Sequence, residues 1–397
     1  MKIVIQPFCS QQDKVTHAFL LNADVTMDIS RFLAEQLAAL GAEVRLILPH
    51  HLRCVGGYPE WVGEFKVLVQ QGISSDNKRR RLSFDAAEMY GMVNGADLFI
   101  THNELVAYKV RQLVGPKTKI IHFNHLMPLG DWAWMEPLQQ ASWAAADLVV
   151  FLAQNLLQFA QQRLNGTLGK YEHVKATIWP MVYDRRTILF REPQWPTAVD
   201  LLFVQRCSAS NYTHHQEFLE AVRILRTEYG WQGRVMFTDP TGYLEQHGQR
   251  DLSGLDLAAL KLEYAHCISR DAYYKLLGES KVAVALMTND LHGGVAIREA
   301  IASGCIPVLL DQPAYRNLLH PYETIWPWLV HQTIQPHQLA LTLRDALEKQ
   351  CVWQFNSPND LTLAAIRRKV AGETYQVAWD VVAGAEIDAL LHGEVRS

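Results

Sequence analysis

Apolar residues in this chain come in short blocks, and amphipathic stretches separate one block from the next. Residues 2–6 read as a buried strand. Ile29, Phe32, Leu33, Leu37 and Leu40 then fall on one helical face, and Gly41 stands where a helix ends. Strands are predicted at 43–48 and 65–69, and a helix near 84–93 runs into a strand at 97–101. Further strands follow at 119–123 and 147–152. Around 184–199 the pattern stops. Asp184-Arg185-Arg186 and Arg191-Glu192-Pro193-Gln194-Trp195-Pro196 are polar, proline-interrupted and without period, which reads as a linker. The alternation then restarts, with strands at 201–205, 234–238, 265–269, 281–286 and 306–310. Helices fall at about 214–228, at 271–278 and at 295–303. A helix near 336–349 places Leu339, Leu343, Ala346 and Leu347 on one face.

Short apolar runs alternating with amphipathic helices imply parallel strands joined by right-handed crossovers. The expected class is therefore α/β, two doubly wound sheets with a ligand cleft at the carboxyl ends of their strands. Four segments follow: a domain at 1–183, the linker at 184–199, a second domain at 200–372 and a terminal segment at 373–397. The stretch 373–391 reads as a helix with Tyr375, Val377, Trp379, Val382 and Ile387 available for burial.

Composition narrows the class. At 397 residues the chain exceeds one ordinary core, which agrees with two domains. A formal charge of −4 gives no global attraction to nucleic acid or anionic membrane. The six cysteines are scattered without a CxxC pair, a pattern that suits a reducing compartment. No apolar run is long enough to span a bilayer, and a cytoplasmic protein is expected.

The chemistry concentrates in Leu291-His292-Gly293-Gly294-Val295-Ala296-Ile297-Arg298-Glu299-Ala300 and its continuation to Ser303-Gly304-Cys305-Ile306-Pro307-Val308. A strand ends in a polar loop, two glycines follow, and a helix begins. Adjacent glycines let backbone approach a ligand, and the helix start offers unpaired N–H groups, a cradle for a diphosphate. Taken alone, the glycines serve equally well as a tight turn.

This segment resembles the donor site of family 4 type glycosyltransferases of the GT-B fold. Gly294, Glu299-Ala300, Ser303-Gly304 and Pro307-Val308 match that family's motif, and the resemblance continues through Asp311-Gln312-Pro313-Ala314-Tyr315-Arg316-Asn317-Leu318-Leu319. Upstream, Ile268-Ser269, Tyr273, Leu276-Leu277 and Ser280-Lys281-Val282 resemble the preceding helix and strand. Leu201-Leu202-Phe203-Val204-Gln205-Arg206 resembles the strand whose closing arginine meets the donor diphosphate, and Ile178 through Asp184 resembles the interdomain segment.

The resemblance implies two Rossmann-like domains facing a cleft, with the acceptor on the first and a nucleotide sugar on the second. It implies a terminal helix that crosses back onto the first domain, and a reaction that retains anomeric configuration without a metal or other cofactor. Donor binding would fall to Arg206, Thr213, His214, Gly293, Gly294, Val295 and Glu299, with Glu299 at the ribose hydroxyls. His125, Asp290 and His292 are the candidates at the reacting sugar. His125 closes a strand, where its other reading is a cap, and His102 has the same position on the strand before it.

Three positions depart from the family. Leu291 replaces the first glutamate of the spaced pair, residues 208–214 contain no lysine, and Asn317 stands where many members have glutamate. Asp290 or His292 would substitute for the first. A protonated His214 or His215 would supply the charge missing from the second.

For the acceptor, Lys78-Arg79-Arg80-Arg81 is a basic run, and Trp132 and Trp134 follow the His125 strand. Basic charge tracks phosphates and indoles stack on bases or sugar rings, while the same residues read plainly as a solvated loop and core tryptophans. The leading expectation is a glycan, lipid-linked or small-molecule acceptor. A hydroxylated DNA base is one alternative, and a catalytically silent protein that binds a ligand or partner is another.

Overall fold

The computed structural model describes residues 1–9, 18–21, 24–72, 85–125, 130–152, 156–158, 160–161, 175–179, 198–207, 211–239, 242–252, 254–265, 268–288, 294–324, 326–349, 365–367, 370 and 383–392. The chain divides into two compact units, Met1–Asp184 with Thr374–Ser397 and Arg185–Glu373.

In the first unit, strands β1 (Lys2–Gln6), β2 (Glu43–Pro49), β3 (Lys66–Gln70), β4 (Leu98–Thr101), β5 (Lys119–Asn124), β6 (Leu148–Phe151) and β7 (Ala176–Ile178) form one sheet. Their order is β3-β2-β1-β4-β5-β6-β7, and every pair is parallel. Parallel neighbours require crossovers, which α1 (Val25–Ala39), α2 (Ala86–Val93), α3 (Ala107–Val114) and α4 (Glu136–Ala145) supply. Asp24 starts α1 by accepting the Thr26 N–H at 2.9 Å, and Asp85 starts α2 by accepting the Glu88 N–H at 2.7 Å. Val4, Phe99 and Ile120 are register partners across β1, β4 and β5 and so share a face, where they meet Met89, Val93, Ala107 and Val110 of α2 and α3 in one core.

The second unit repeats the plan. Strands β8 (Val199–Phe203), β9 (Val235–Phe237), β10 (Leu262–Tyr264), β11 (Ser280–Ala285), β12 (Ile306–Leu310) and β13 (Leu329–Val330) lie in the order β10-β9-β8-β11-β12-β13, all parallel. The helices are α5 (His215–Thr227), α6 (Tyr243–Asp251), α7 (Arg270–Gly278), α8 (Val295–Ser303), α9 (Pro313–Leu319) and α10 (Pro336–Lys349). The terminal helix α11 (Gly384–His392) belongs to the first unit, where Glu386 accepts the indole N–H of Trp179 at 2.7 Å. In each sheet the winding reverses once, between β1 and β4 and between β8 and β11. Loops diverge there at the carboxyl edge.

The predicted alternation holds in both units, with one strand displaced. Residues 265–269 were expected in a strand, but β10 is Leu262–Tyr264, in register with Val235–Phe237. Ser269 is committed to the next helix, its hydroxyl accepting the Ala272 N–H at 3.3 Å as N-cap of α7. Short elements without a periodic signal of their own, β7 and β13, take strand form because a neighbour's edge pairs with them.

Candidate functional site

At the carboxyl edge of the second sheet, Gln205 follows β8 and ties three strand ends together. Its Oε1 accepts the backbone N–H groups of Leu286 and Met287 at 2.7 and 3.0 Å, and its Nε2 donates to the Tyr315 hydroxyl at 3.0 Å. Gln312 donates to the Met287 carbonyl at 2.9 Å from the end of β12. Arg206, the next residue after Gln205, is exposed at this edge. Replacing Gln205 by alanine would leave two backbone donors without that acceptor. The expected loss is about 1–3 kcal/mol, read as a lower urea midpoint with an unchanged m-value.

The segment leading into α5 is bound up in its own polar contacts. Asn211 and His214 both hold left-handed backbone, φ 49° and 53°, which non-glycine residues adopt rarely and at a cost. The Asn211 Oδ1 accepts the Gln216 N–H at 3.2 Å, and its Nδ2 donates to Glu217 Oε2 at 2.8 Å. His214 Nδ1 lies 3.3 Å from Glu217 Oε1. Burial pushes the Glu217 carboxyl up, but the adjacent His214 imidazole and the hydrogen bond from Asn211 more than offset it and bring it to about 2. Thr213 is buried, with its hydroxyl 3.3 Å from His215 Nδ1. Burial lowers His215 to about 4, against the attraction of Asp239 and Glu217.

Helix α8 opens at Gly294, whose φ of 61° lies in the region that glycine tolerates, and closes at Gly304 with φ 102°. Val295 is its first residue, so the backbone N–H groups of Val295, Ala296 and Ile297 lack intrahelical acceptors, and the helical ladder begins with the Arg298 N–H donating to the Gly294 carbonyl at 3.3 Å. Asp290, Leu291, His292 and Gly293 lie outside the described residues. Glu299 is turned inward. Its side chain is 2% exposed and ion-paired to Arg270 of α7, and the Tyr274 hydroxyl donates to its Oε1 at 3.0 Å. The Arg270 guanidinium also sits over the rings of Tyr273 and Tyr274, 5.2 and 4.7 Å from their centroids. Burial and the adjacent Glu299 raise the Tyr273 phenol well above its ordinary range.

At the carboxyl edge of the first sheet, His102 and His125 meet. His102 Nδ1 and His125 Nε2 are 2.8 Å apart. The His102 ring stacks on Phe123, with centroids 4.3 Å apart and planes 18° apart. Phe123 in turn meets Trp179 edge-on at 5.2 Å. The chain of contacts therefore runs from His125 to Glu386 of α11. His102 is fully buried, and burial followed by repulsion from His122 lowers it to about 3. Burial lowers His122 likewise to about 3. On the opposite face of β5, Asn124 Oδ1 accepts from Gln139 Nε2 at 2.5 Å and Trp143 Nε1 at 3.0 Å. Trp134 is half-buried in the turn Gly130–Met135. Trp132 belongs to the same turn, but its side chain lies outside the described residues, as do Arg79 and Arg80.

Gln205, Arg270, Tyr274, Trp179 and Glu386 carry these arrangements and were not singled out for chemistry from the sequence. Only Arg270 and Tyr274 left a local trace, a cation and a phenol one helical turn apart. Among the described residues, no group of three or more His, Cys, Asp or Glu side chains is arranged to hold a metal ion, and no helix is long and apolar enough to cross a membrane.

No protein-family model matches the sequence, and no curated protein does. Solved structures match over the whole length. A sucrose-phosphate synthase from Thermosynechococcus elongatus superposes with a TM-score of 0.70 at 14% identity, over 99% of this chain and 100% of that one. An α,α-trehalose-phosphate synthase (UDP-forming) from Burkholderia vietnamiensis gives 0.60 at 14%, over 99% of each chain. An α-glucosyltransferase, solved in complex with UDP-glucose and DNA containing an abasic site, gives 0.55 at 10%, over 98% of this chain and 99% of that one. At such identities the likeness speaks for architecture alone. Two parallel, doubly wound sheets in this strand order have the GT-B fold.

Proposed function

We propose that this chain is a glycosyltransferase that takes a sugar from a nucleotide diphosphate donor and retains its anomeric configuration. One observation carries the reading: in a GT-B fold, the glycine-opened start of α8 and the exposed Arg206 stand at the carboxyl edge of one sheet, at loops beside the winding reversal. Unpaired helix N–H groups and a guanidinium fork are complementary to phosphate oxygens. In this reading Arg206, Thr213, His214, Gly293, Gly294 and Val295 hold the diphosphate. Glu299, oriented by Arg270 and Tyr274, serves the ribose. The family resemblance assigns His125 to the donor sugar, and Asp290 or His292 stands in for the glutamate that Leu291 replaces. The basic residues Arg79 and Arg80 and the indoles of Trp132 and Trp134 serve the acceptor, a glycan, lipid-linked or small-molecule hydroxyl, whereas His102, expected beside them, is fully buried against His125 and Phe123 and reaches no acceptor. The protein's part is then to position the reactants and neutralise the leaving diphosphate, with no metal required.

The direct test is calorimetric titration with UDP-, GDP- and ADP-sugars, followed by release of the nucleotide diphosphate with and without acceptors. Saturable binding of one nucleotide class with turnover is expected. Binding without turnover under any acceptor would favour the silent protein, and no binding at all would overturn the donor site. Arg206→Ala should weaken donor binding about tenfold to a hundredfold, the worth of a charged hydrogen bond. Equal affinity would remove Arg206 from the site.

A second reading, transfer to a hydroxylated base in DNA, draws on the basic run Lys78–Arg81 and on the DNA complex of one fold relative. Phosphate contacts weaken steeply with salt. Duplex binding at 50 mM salt that is lost by 200 mM is the outcome this reading needs; no binding at low salt excludes it.

A further inference from the structure

We propose that His102 is a positioning residue that fixes the imidazole of His125 as its Nδ1–H tautomer. The inference deepens the reading of His125 given above, and it rests on the geometry of the pair.

The two rings share a single hydrogen bond, His102 Nδ1 to His125 Nε2 at 2.8 Å. One proton must lie on that line, and either ring can supply it. The surroundings of His102 decide which. Its ring is fully buried and stacked on Phe123, and its remaining nitrogen, Nε2, has no hydrogen-bond partner among the described residues. A buried donor with nothing to donate to is among the rarest arrangements in proteins, whereas an under-satisfied acceptor is tolerated more often. The proton of a neutral His102 therefore belongs on Nδ1, and it is donated to His125. The displacement of His102 to about 3, through burial and then His122, keeps it neutral across the physiological range.

His125 Nε2 is then an acceptor. A neutral His125 must carry its own proton on Nδ1. A ring so held keeps one tautomer and one orientation at the carboxyl edge of the sheet. The stack that fixes His102 continues through Phe123 to Trp179, whose indole is held by Glu386 of α11. The tautomer is set from inside the first unit, before any donor arrives.

The test is ¹⁵N-edited NMR of the histidine side chains at pH 8 in the full chain without ligand, with His125 assigned by its loss in His125→Gln. The wild-type protein should place the His125 proton on Nδ1 and that of His102 on Nδ1. In His102→Phe, which keeps the stacking ring and removes the nitrogen, His125 should redistribute towards Nε2–H. In His102→Asn, whose side-chain amide can donate from nearly the same point, the Nδ1–H form should return. An Nε2–H signal for His125 in the wild type overturns the proposal even if no variant folds. So does an unchanged tautomer in folded His102→Phe. Donor titration of the wild type tests the glycosyltransferase reading separately, because the tautomer is read without donor.

Discussion

Acidification from pH 7 to pH 5 should cost the first unit about 4 kcal/mol, close to 2 kcal/mol for each of two histidines, at about 1.4 kcal/mol per pH unit per group over most of that window. His102 and His122 are fully buried and both lowered to about 3. In the unfolded chain an ordinary histidine binds its proton near 6.5. Between about 6.5 and 3 the unfolded state thus holds protons that the folded state refuses. The stability these groups contribute is fully present above 6.5 and is lost as the pH falls towards 3. Urea midpoints measured by near-ultraviolet circular dichroism at pH 7, 6 and 5 read the effect. His122→Asn, uncharged throughout, should remove about half of the dependence. A wild-type midpoint that does not move over this range would show that the folded protein protonates these rings freely.

Glu299→Ala should lower the stability of the second unit by about 3–5 kcal/mol, because it leaves the Arg270 guanidinium without its partner in a largely buried position. The melting temperature should fall by roughly 6–20 °C on the scale for a unit of this size. The double replacement Arg270→Met with Glu299→Leu removes both charges, and it should recover most of the loss. If the single variant melts with the wild type, the ion pair contributes nothing. A donor-binding defect in Glu299→Ala is interpretable only beside its stability, and Glu299→Gln, which retains an acceptor for Tyr274, is the better probe of contact with a ribose. A smaller acid effect accompanies it. Glu217, lowered to about 2, contributes stability above about pH 4.5 that is lost as the pH falls towards 2.

Much of the fold was legible because its signals are local. Leu148-Val149-Val150-Phe151-Leu152 and Val282-Ala283-Val284-Ala285-Leu286 are continuous apolar runs of strand length, and parallel strands covered on both faces require such runs. Gly294 and Gly304 mark the ends of α8 in the sequence, and their backbone angles confirm those ends. The displaced strand near 265 shows the limit. Leu262, Glu263 and Tyr264 are only three residues long, and their pairing with β9 is a long-range fact that no window of sequence contains.

The site divides in the same way. Chain chemistry alone determined that two α/β units are present, that a glycine-opened helix follows one strand, and that an arginine and several histidines close others. These follow from periodicity and from residue types at element ends, properties of neighbours along the chain. Tertiary structure alone decided what each side chain does there. Glu299 was expected at a ribose and is held by Arg270, 29 residues away. His102 and His125, 23 residues apart, share one hydrogen bond because β4 and β5 are adjacent and in register. Gln205 reaches across to residues 81 and 82 positions further on. Proton placement, ion pairing and orphaned polar atoms depend on distances of a few ångströms between distant parts of the chain, and only packing sets those distances.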